Sequence, residues 1–192
     1  LAWICGNVCV WKPSEKTPLC GIACQNIMAK VLEKNNMPGA VCCLINGDYS
    51  VGEWLTKDKR VALISATGST RMGRVVGAEV AKRFGKSILE LGGNNALIIS
   101  PDADINISVV GAVFGAVGTA GQRCTTTRRL IVHDSIYDSV KEKLINAYKQ
   151  IKIGNPLNES NHMGPLIDKG AVNMYLEAIT RVKEEGGNVI VE

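Results

Sequence analysis

The feature that most constrains this chain is the alternation of short β-rich apolar runs with longer stretches of helical periodicity. The runs are NVCVWK (Asn7 to Lys12), MPGAVCCLI, VALISA, SILEL, LGGNNALIIS, RRLIVH and NVIVE. A first helix is predicted between them, capped by Ser14 or Thr17 and running to about Lys34, with Ile22, Ile27, Val31 and Leu32 on its apolar face. A short helix spans Val51 to Thr56, and another follows TGSTRMG as far as Phe84. Asp102 or Asp104 opens a helix through Val117. SVKEKLINAYKQI and AVNMYLEAITRVKEE supply two more, separated by an irregular GNPLNESNHMGPL loop. Strand–helix alternation predicts a parallel α/β architecture with right-handed crossovers, because a strand reaches a parallel neighbour only by crossing back over the sheet. VALISA, read as an apolar run, is expected to be buried on both faces.

Composition removes several function classes. The formal charge is +4, and the basic side chains are interleaved with acids, as in KDKR and KEK, so a nucleic-acid partner is not expected. The longest apolar run, Ser108 to Gly118, is interrupted by glycine and falls short of a membrane span. Seven cysteines make an odd count, and Cys5, Cys9, Cys42 and Cys43 lie in apolar stretches. That usage suits a reducing compartment, the cytoplasm or the mitochondrial matrix, with cysteine acting as a small buried hydrophobe. Cys5/Cys9 and Cys20/Cys24 repeat one spacing, but no histidine lies near either pair, and no metal site is expected. Leu1 begins mid-pattern, as in a fragment or a trimmed chain. A length of 192 residues allows one large domain or two small ones. The boundary is placed at the Gly92-Gly93 turn, with residues 1–92 as a partial dinucleotide-binding domain and 93–192 as a partial catalytic domain.

Three motifs carry chemistry. In LISATGSTRMG a strand runs into Gly68 and Ser69 and a helix begins. A helix N-terminus offers free N–H groups and partial positive charge to a pyrophosphate, and a glycine lets the backbone approach it. An N-capped surface helix would read the same way. In the glycine-rich loop containing GQRC, Gly115, Gly118 and Gly121 leave room for a ligand, and Cys124 stands among Arg123, Arg128 and Arg129, cations that favour a nucleophilic thiolate. A structural cysteine is the alternative. In LELGGNN, Glu90 is either a paired core carboxylate or a base of raised pKa.

GNVCVWKPSEKTP, TGSTRMGR, LELGGNN, GQRCTTTRRL and GNP…GPL stand in the order and spacing of the aldehyde dehydrogenase superfamily, and the chain resembles its central part over essentially its whole length. GNNA and GQRCTTTRRL are most similar to the branch that oxidises α-aminoadipic semialdehyde, the antiquitin branch. The resemblance implies a parallel Rossmann-type cofactor sheet plus an α/β catalytic domain, both incomplete. It also implies a small aldehyde as substrate, NAD in preference to NADP, and a homo-oligomeric full-length protein. Carried onto this sequence, Cys124 is the nucleophile that forms a thiohemiacetal and then a thioester, and Glu90 activates the hydrolytic water. Lys12 and Glu15 read the adenine ribose, Ser69 touches the pyrophosphate, Gly68 and Gly73 make room for it, and Leu91 lines the cofactor site. Arg123 holds the carboxylate end of the substrate, or else braces backbone carbonyls. Ala66 stands where a phenylalanine commonly precedes TGS, and Glu15 belongs to the wider superfamily pattern. Nothing here matches the upstream Pro-Trp-Asn segment or the downstream Glu-x-Phe segment. The isolated chain is therefore expected to be inactive; the alternative is a relic that keeps only a nucleotide-binding or subunit-contact surface.

Overall fold

A computed structural model describes residues 1–191. The chain forms two compact units, Leu1–Leu91 and Gly92–Glu192.

The first unit is built from two βαβ repeats. Strand β1 (Cys9–Trp11) leads through α1 (Pro18–Lys34) to β2 (Cys42–Leu44), its parallel partner. Thr17 is the N-cap of α1, and Pro18 opens the helix, where its missing N–H costs nothing. Helix α2 (Tyr49–Lys57) is capped by Asp48, whose carboxylate accepts the Ser50 N–H at 2.9 Å. Strand β3 (Leu63–Thr67), helix α3 (Thr70–Lys82) and strand β4 (Lys86–Glu90) make the second repeat, again with parallel strands. Phe84 lies beyond the end of α3 with a positive φ of 57° and its ring exposed. The buried apolar residues of this unit are Cys42 and Val80.

The second unit repeats the theme. Strand β5 (Asn95–Ile99) crosses through α4 (Ile105–Val117) to its parallel partner β6 (Thr127–Val132). Asp104 caps α4, accepting from the N–H groups of Asn106 and Ile107. Helices α5 (Tyr137–Tyr148) and α6 (Lys169–Glu184) follow, the latter capped by Asp168. Ile99, Val109, Ala112 and Val140 form the core, where the sheet meets α4 and α5. The GNPLNESNHMGPL loop is irregular but tied together, with Ile153 bridging Met163 and the Lys152 carbonyl accepting from His162 N–H.

Three expectations are corrected. VALISA is not buried on both faces, since β3 exposes alternate residues and Leu63 is 47% exposed. Among the described residues its sheet has two strands, so the run's hydrophobicity exceeds what this unit covers. NVIVE makes no strand within residues 188–191; Ile190 and Val191 instead line a groove of about 360 Å³ with Leu130, Tyr137, Leu144 and Tyr148. Its last residue, Glu192, lies outside the described residues. The cysteines are not generally buried either: Cys42 alone is, whereas Cys5, Cys20, Cys24 and Cys124 are exposed. No helix among the described residues is long and apolar enough to cross a membrane.

Candidate active site

In the first unit, the residues singled out from the sequence gather at the C-terminal ends of parallel strands, where open α/β sheets place their ligands. Lys12, one residue past β1, makes an ion pair with Glu15 at 3.0 Å. The Glu15 carboxyl is held below the ordinary carboxylate range, first by hydrogen bonding at its own backbone N–H and next by the Lys12 ammonium. The two groups thus hold each other in place.

At the end of β3, Ser69 is the N-cap of α3 and its Oγ accepts the Met72 N–H at 3.1 Å. The capped-helix reading and the anion-site reading therefore describe the same geometry. Capping satisfies one N–H of the first turn, and the earlier ones remain available. Gly68 joins the strands: its N–H donates to the Glu90 carbonyl at 3.0 Å, and Thr67 is in register with Glu90. Gly73 is buried, and a Cβ there would lie 2.5 Å from Leu91 Cδ1. The space Gly73 leaves is filled by Leu91, which corrects the expectation that it simply opens room for a ligand. An open helix N-terminus beside a glycine can receive an anionic group such as a pyrophosphate.

Glu90 closes β4 with its side chain exposed. It has no ion pair or side-chain hydrogen bond among the described residues, so the paired core carboxylate is overturned.

In the second unit, Cys124 sits in a β-turn closed by Thr126 N–H to the Arg123 carbonyl at 3.2 Å. Its side chain is exposed, and its own N–H has no acceptor among the described residues, which leaves a free donor beside the thiol. The turn is reached through a strained approach. Thr119 (φ 55°, ψ 36°) and Ala120 (φ 53°, ψ 36°) are both left-handed, a conformation that costs a non-glycine residue about 1–2 kcal/mol. Gly121 (φ 70°) completes the bend without that cost.

The arginines do not surround the sulfur. Arg128 donates to the carbonyls of Thr126 and Arg123, each at 3.1 Å, and Arg129 forks onto the Asn94 carbonyl at 2.7 and 3.1 Å. Arg123 Nε donates to the Thr119 hydroxyl at 2.8 Å, with its guanidinium 5.5 Å from the centre of the Phe114 ring. Bracing backbone carbonyls thus falls to Arg128 and Arg129 and not to Arg123. The room expected at Gly118 faces the Arg123 guanidinium, and that at Gly115 faces Thr127.

Sequence reasoning missed the groups that shape this turn. Asn95 Nδ2 donates to the Cys124 carbonyl at 2.6 Å and to the Thr126 carbonyl at 3.0 Å. Gln122 Oε1 accepts the Ile167 N–H at 2.9 Å, tying the turn to the segment before α6. These partners lie far apart in the chain, and no spacing rule announces them.

The aldehyde dehydrogenase family model matches residues 1–192. Alpha-aminoadipic semialdehyde dehydrogenase of Bos taurus is 52% identical over 190 residues, covering 99% of this chain and 35% of that protein. Aldehyde dehydrogenase family 7 member B4 of Arabidopsis thaliana is 47% identical over 190 residues, 99% of this chain and 37% of that protein. Among solved structures, glyceraldehyde-3-phosphate dehydrogenase of Methanocaldococcus jannaschii complexed with NADP superposes with a TM-score of 0.92 at 35% identity, over 97% of this chain and 41% of that one. Betaine aldehyde dehydrogenase of Staphylococcus aureus in complex with NAD+ gives 0.89 at 35% identity, over 97% and 36%. This chain therefore spans roughly a third of the length of such relatives and belongs to the aldehyde dehydrogenase family.

Proposed function

We propose that the whole protein oxidises an aldehyde to a carboxylate, with Cys124 as nucleophile and Glu90 as base. The observation that carries this reading is the Cys124 turn, in which an exposed thiol stands beside its own free N–H. The Cys124 thiolate adds to the aldehyde carbon, and the oxygen that becomes negative is held by the Cys124 N–H. Lys12, Glu15, Gly68, Ser69, Gly73 and Leu91 would hold a nicotinamide cofactor, which when bound would supply the acceptor for the hydride that leaves that carbon. Cys124 is then a thioester. Glu90 takes a proton from water as the water attacks, and the tetrahedral adduct expels the Cys124 thiolate and releases the carboxylate.

Several finer readings follow. Residues 1–92 serve as the dinucleotide-binding part and 93–192 as the catalytic part. Glu15, kept ionised, accepts from ribose hydroxyls and repels a 2′-phosphate, which favours NAD over NADP. Arg123 has only Nε committed, to Thr119, so its remaining donors suit a carboxylate-bearing semialdehyde such as the one that names the Bos taurus relative. The described cysteines are all free, in keeping with a reducing compartment, and a homo-oligomer is the expected assembly.

The test uses full-length protein. Glu90→Gln should accumulate an acyl group on the Cys124 peptide, seen by mass spectrometry after mixing with aldehyde and NAD. An acyl group on another cysteine, or wild-type turnover by Cys124→Ala, overturns the assignment. Arg123→Ala should raise KM about tenfold or more for a carboxylate-bearing semialdehyde but little for a short neutral aldehyde, as expected for losing a charge-assisted bond. Equal kcat/KM for NAD and NADP would remove Glu15 from its role.

A further inference from the structure

We propose that Asn95 is a positioning residue for the nucleophile: its side-chain amide holds the peptide on the C-terminal side of Cys124 and thereby aims the thiol. The inference rests on the reading of Cys124 as nucleophile.

The side chain of Cys124 leaves a Cα that joins two peptide planes, and their orientation decides where the sulfur points. The plane on the N-terminal side carries the Arg123 carbonyl, which accepts from the Thr126 N–H at 3.2 Å and from Arg128 Nη2 at 3.1 Å. A donor on that carbonyl also polarises the peptide, making the Cys124 N–H a better donor to a developing oxyanion. The plane on the C-terminal side carries the Cys124 carbonyl, and the bond it accepts comes from Asn95 Nδ2 at 2.6 Å. The same nitrogen bridges to the Thr126 carbonyl at 3.0 Å, so one amide clamps both ends of the segment that follows the thiol.

The sheet puts Asn95 in reach by a local irregularity. Asn95 pairs with Thr127, whereas Ala96 pairs with Arg129, so Arg128 is skipped. An unpaired residue of this kind bends a strand and re-aims its neighbours. Here Asn95 and Arg128 both turn onto the Cys124 loop. The loop needs holding, because Thr119 and Ala120 approach it in left-handed conformations.

An amide at this position can donate, whereas an ionised carboxylate of the same shape can only accept, and it would face two carbonyl oxygens, one of them also bonded by the Arg128 guanidinium. That difference makes Asn95→Asp an isosteric probe with a pH signature. In full-length protein, NAD affinity should stay at the wild-type value, measured by fluorescence titration. Relative to wild type, kcat of Asn95→Asp should fall as pH rises, since the protonated carboxyl donates and the ionised one repels. Asn95→Ala should lose about tenfold to a hundredfold in kcat with little change in KM, the scale of loss for a misplaced reacting group. Asn95→Ser, which keeps one donor, should recover part of it.

Cys124→Ala is run beside these variants. If it retains turnover, the nucleophile reading itself fails. If it is dead while Asn95→Ala and Asn95→Asp keep wild-type kcat and pH profile, the positioning role alone is overturned. Parallel loss of NAD affinity, or failure of all three variants to fold, would make Asn95 merely structural and also overturn it.

Discussion

At the scale of single residues, titration separates groups that share a chemical type. Asp58 and Glu15 both face cations, and both carboxyls are held below their ordinary range. The Asp58 carboxyl is drawn down to about 2, first by the Arg60 guanidinium bonded to it at 2.6 Å and then by the Arg60 backbone N–H. A carboxyl depressed in the folded state stabilises that state at every pH above its ordinary value of 3.8, and the contribution disappears as pH falls through about 2. NMR titration of the Asp58 carboxyl carbon should place its midpoint near that value, and Arg60→Ala should move it up while leaving it lowered by the residual backbone bond. An unmoved midpoint would mean the guanidinium is not the main cause. Burial pushes the Cys42 thiol up.

At the scale of elements, the anion-ready end of α3 depends on packing behind it. Gly73 lets Leu91 lie against the first turn of the helix, and Leu91 follows Glu90 directly in the chain. Packing at Gly73 therefore supports the N-terminal end of α3 and the end of the Glu90 strand together. A valine at 73 would push into Leu91, where a Cβ already falls within 2.5 Å of it. Gly73→Val is expected to destabilise the protein by about 1–3 kcal/mol, the usual cost of overpacking. It should also weaken NAD binding. Adding Leu91→Ala should restore part of the stability, measured by urea denaturation. Additive losses in the double variant would show that the two side chains do not compete for one space.

At the scale of the whole molecule, surface composition matters more than any single bond. Phe114 is 65% exposed, Trp54 68%, Ile107 73% and Ile98 74%, on helix and strand faces that in an ordinary globular domain would be covered. Among the described residues the chain also presents three separate two-stranded sheets, each with unpaired edges. Residues 1–192 expressed alone should bind a hydrophobic dye, scatter light at micromolar concentration and show no aldehyde-dependent NADH absorbance. A monodisperse sample that turns over aldehyde would show that neither exposed faces nor the segments missing from the family pattern limit it.

Local chemistry was legible in the sequence wherever it is governed by near neighbours. Helix starts after Thr17, Ser69 and Asp104, and the alternation that gives three βαβ units among the described residues, all act over a few residues, so order alone specifies them. The motifs around Gly68, Glu90 and Cys124 carried the family for the same reason, being contiguous. Burial was not legible, because an apolar run such as VALISA states a preference for a partner without saying whether one is present. Nor were the contacts that shape the nucleophile turn. The arginines beside Cys124 suggested a charged pocket, but the fold turns Arg128 and Arg129 to carbonyls, holds Arg123 on the Thr119 hydroxyl and brings Asn95 across from another strand. A hydrogen bond between residues some thirty positions apart depends on strand register, and register is decided only when two strands meet.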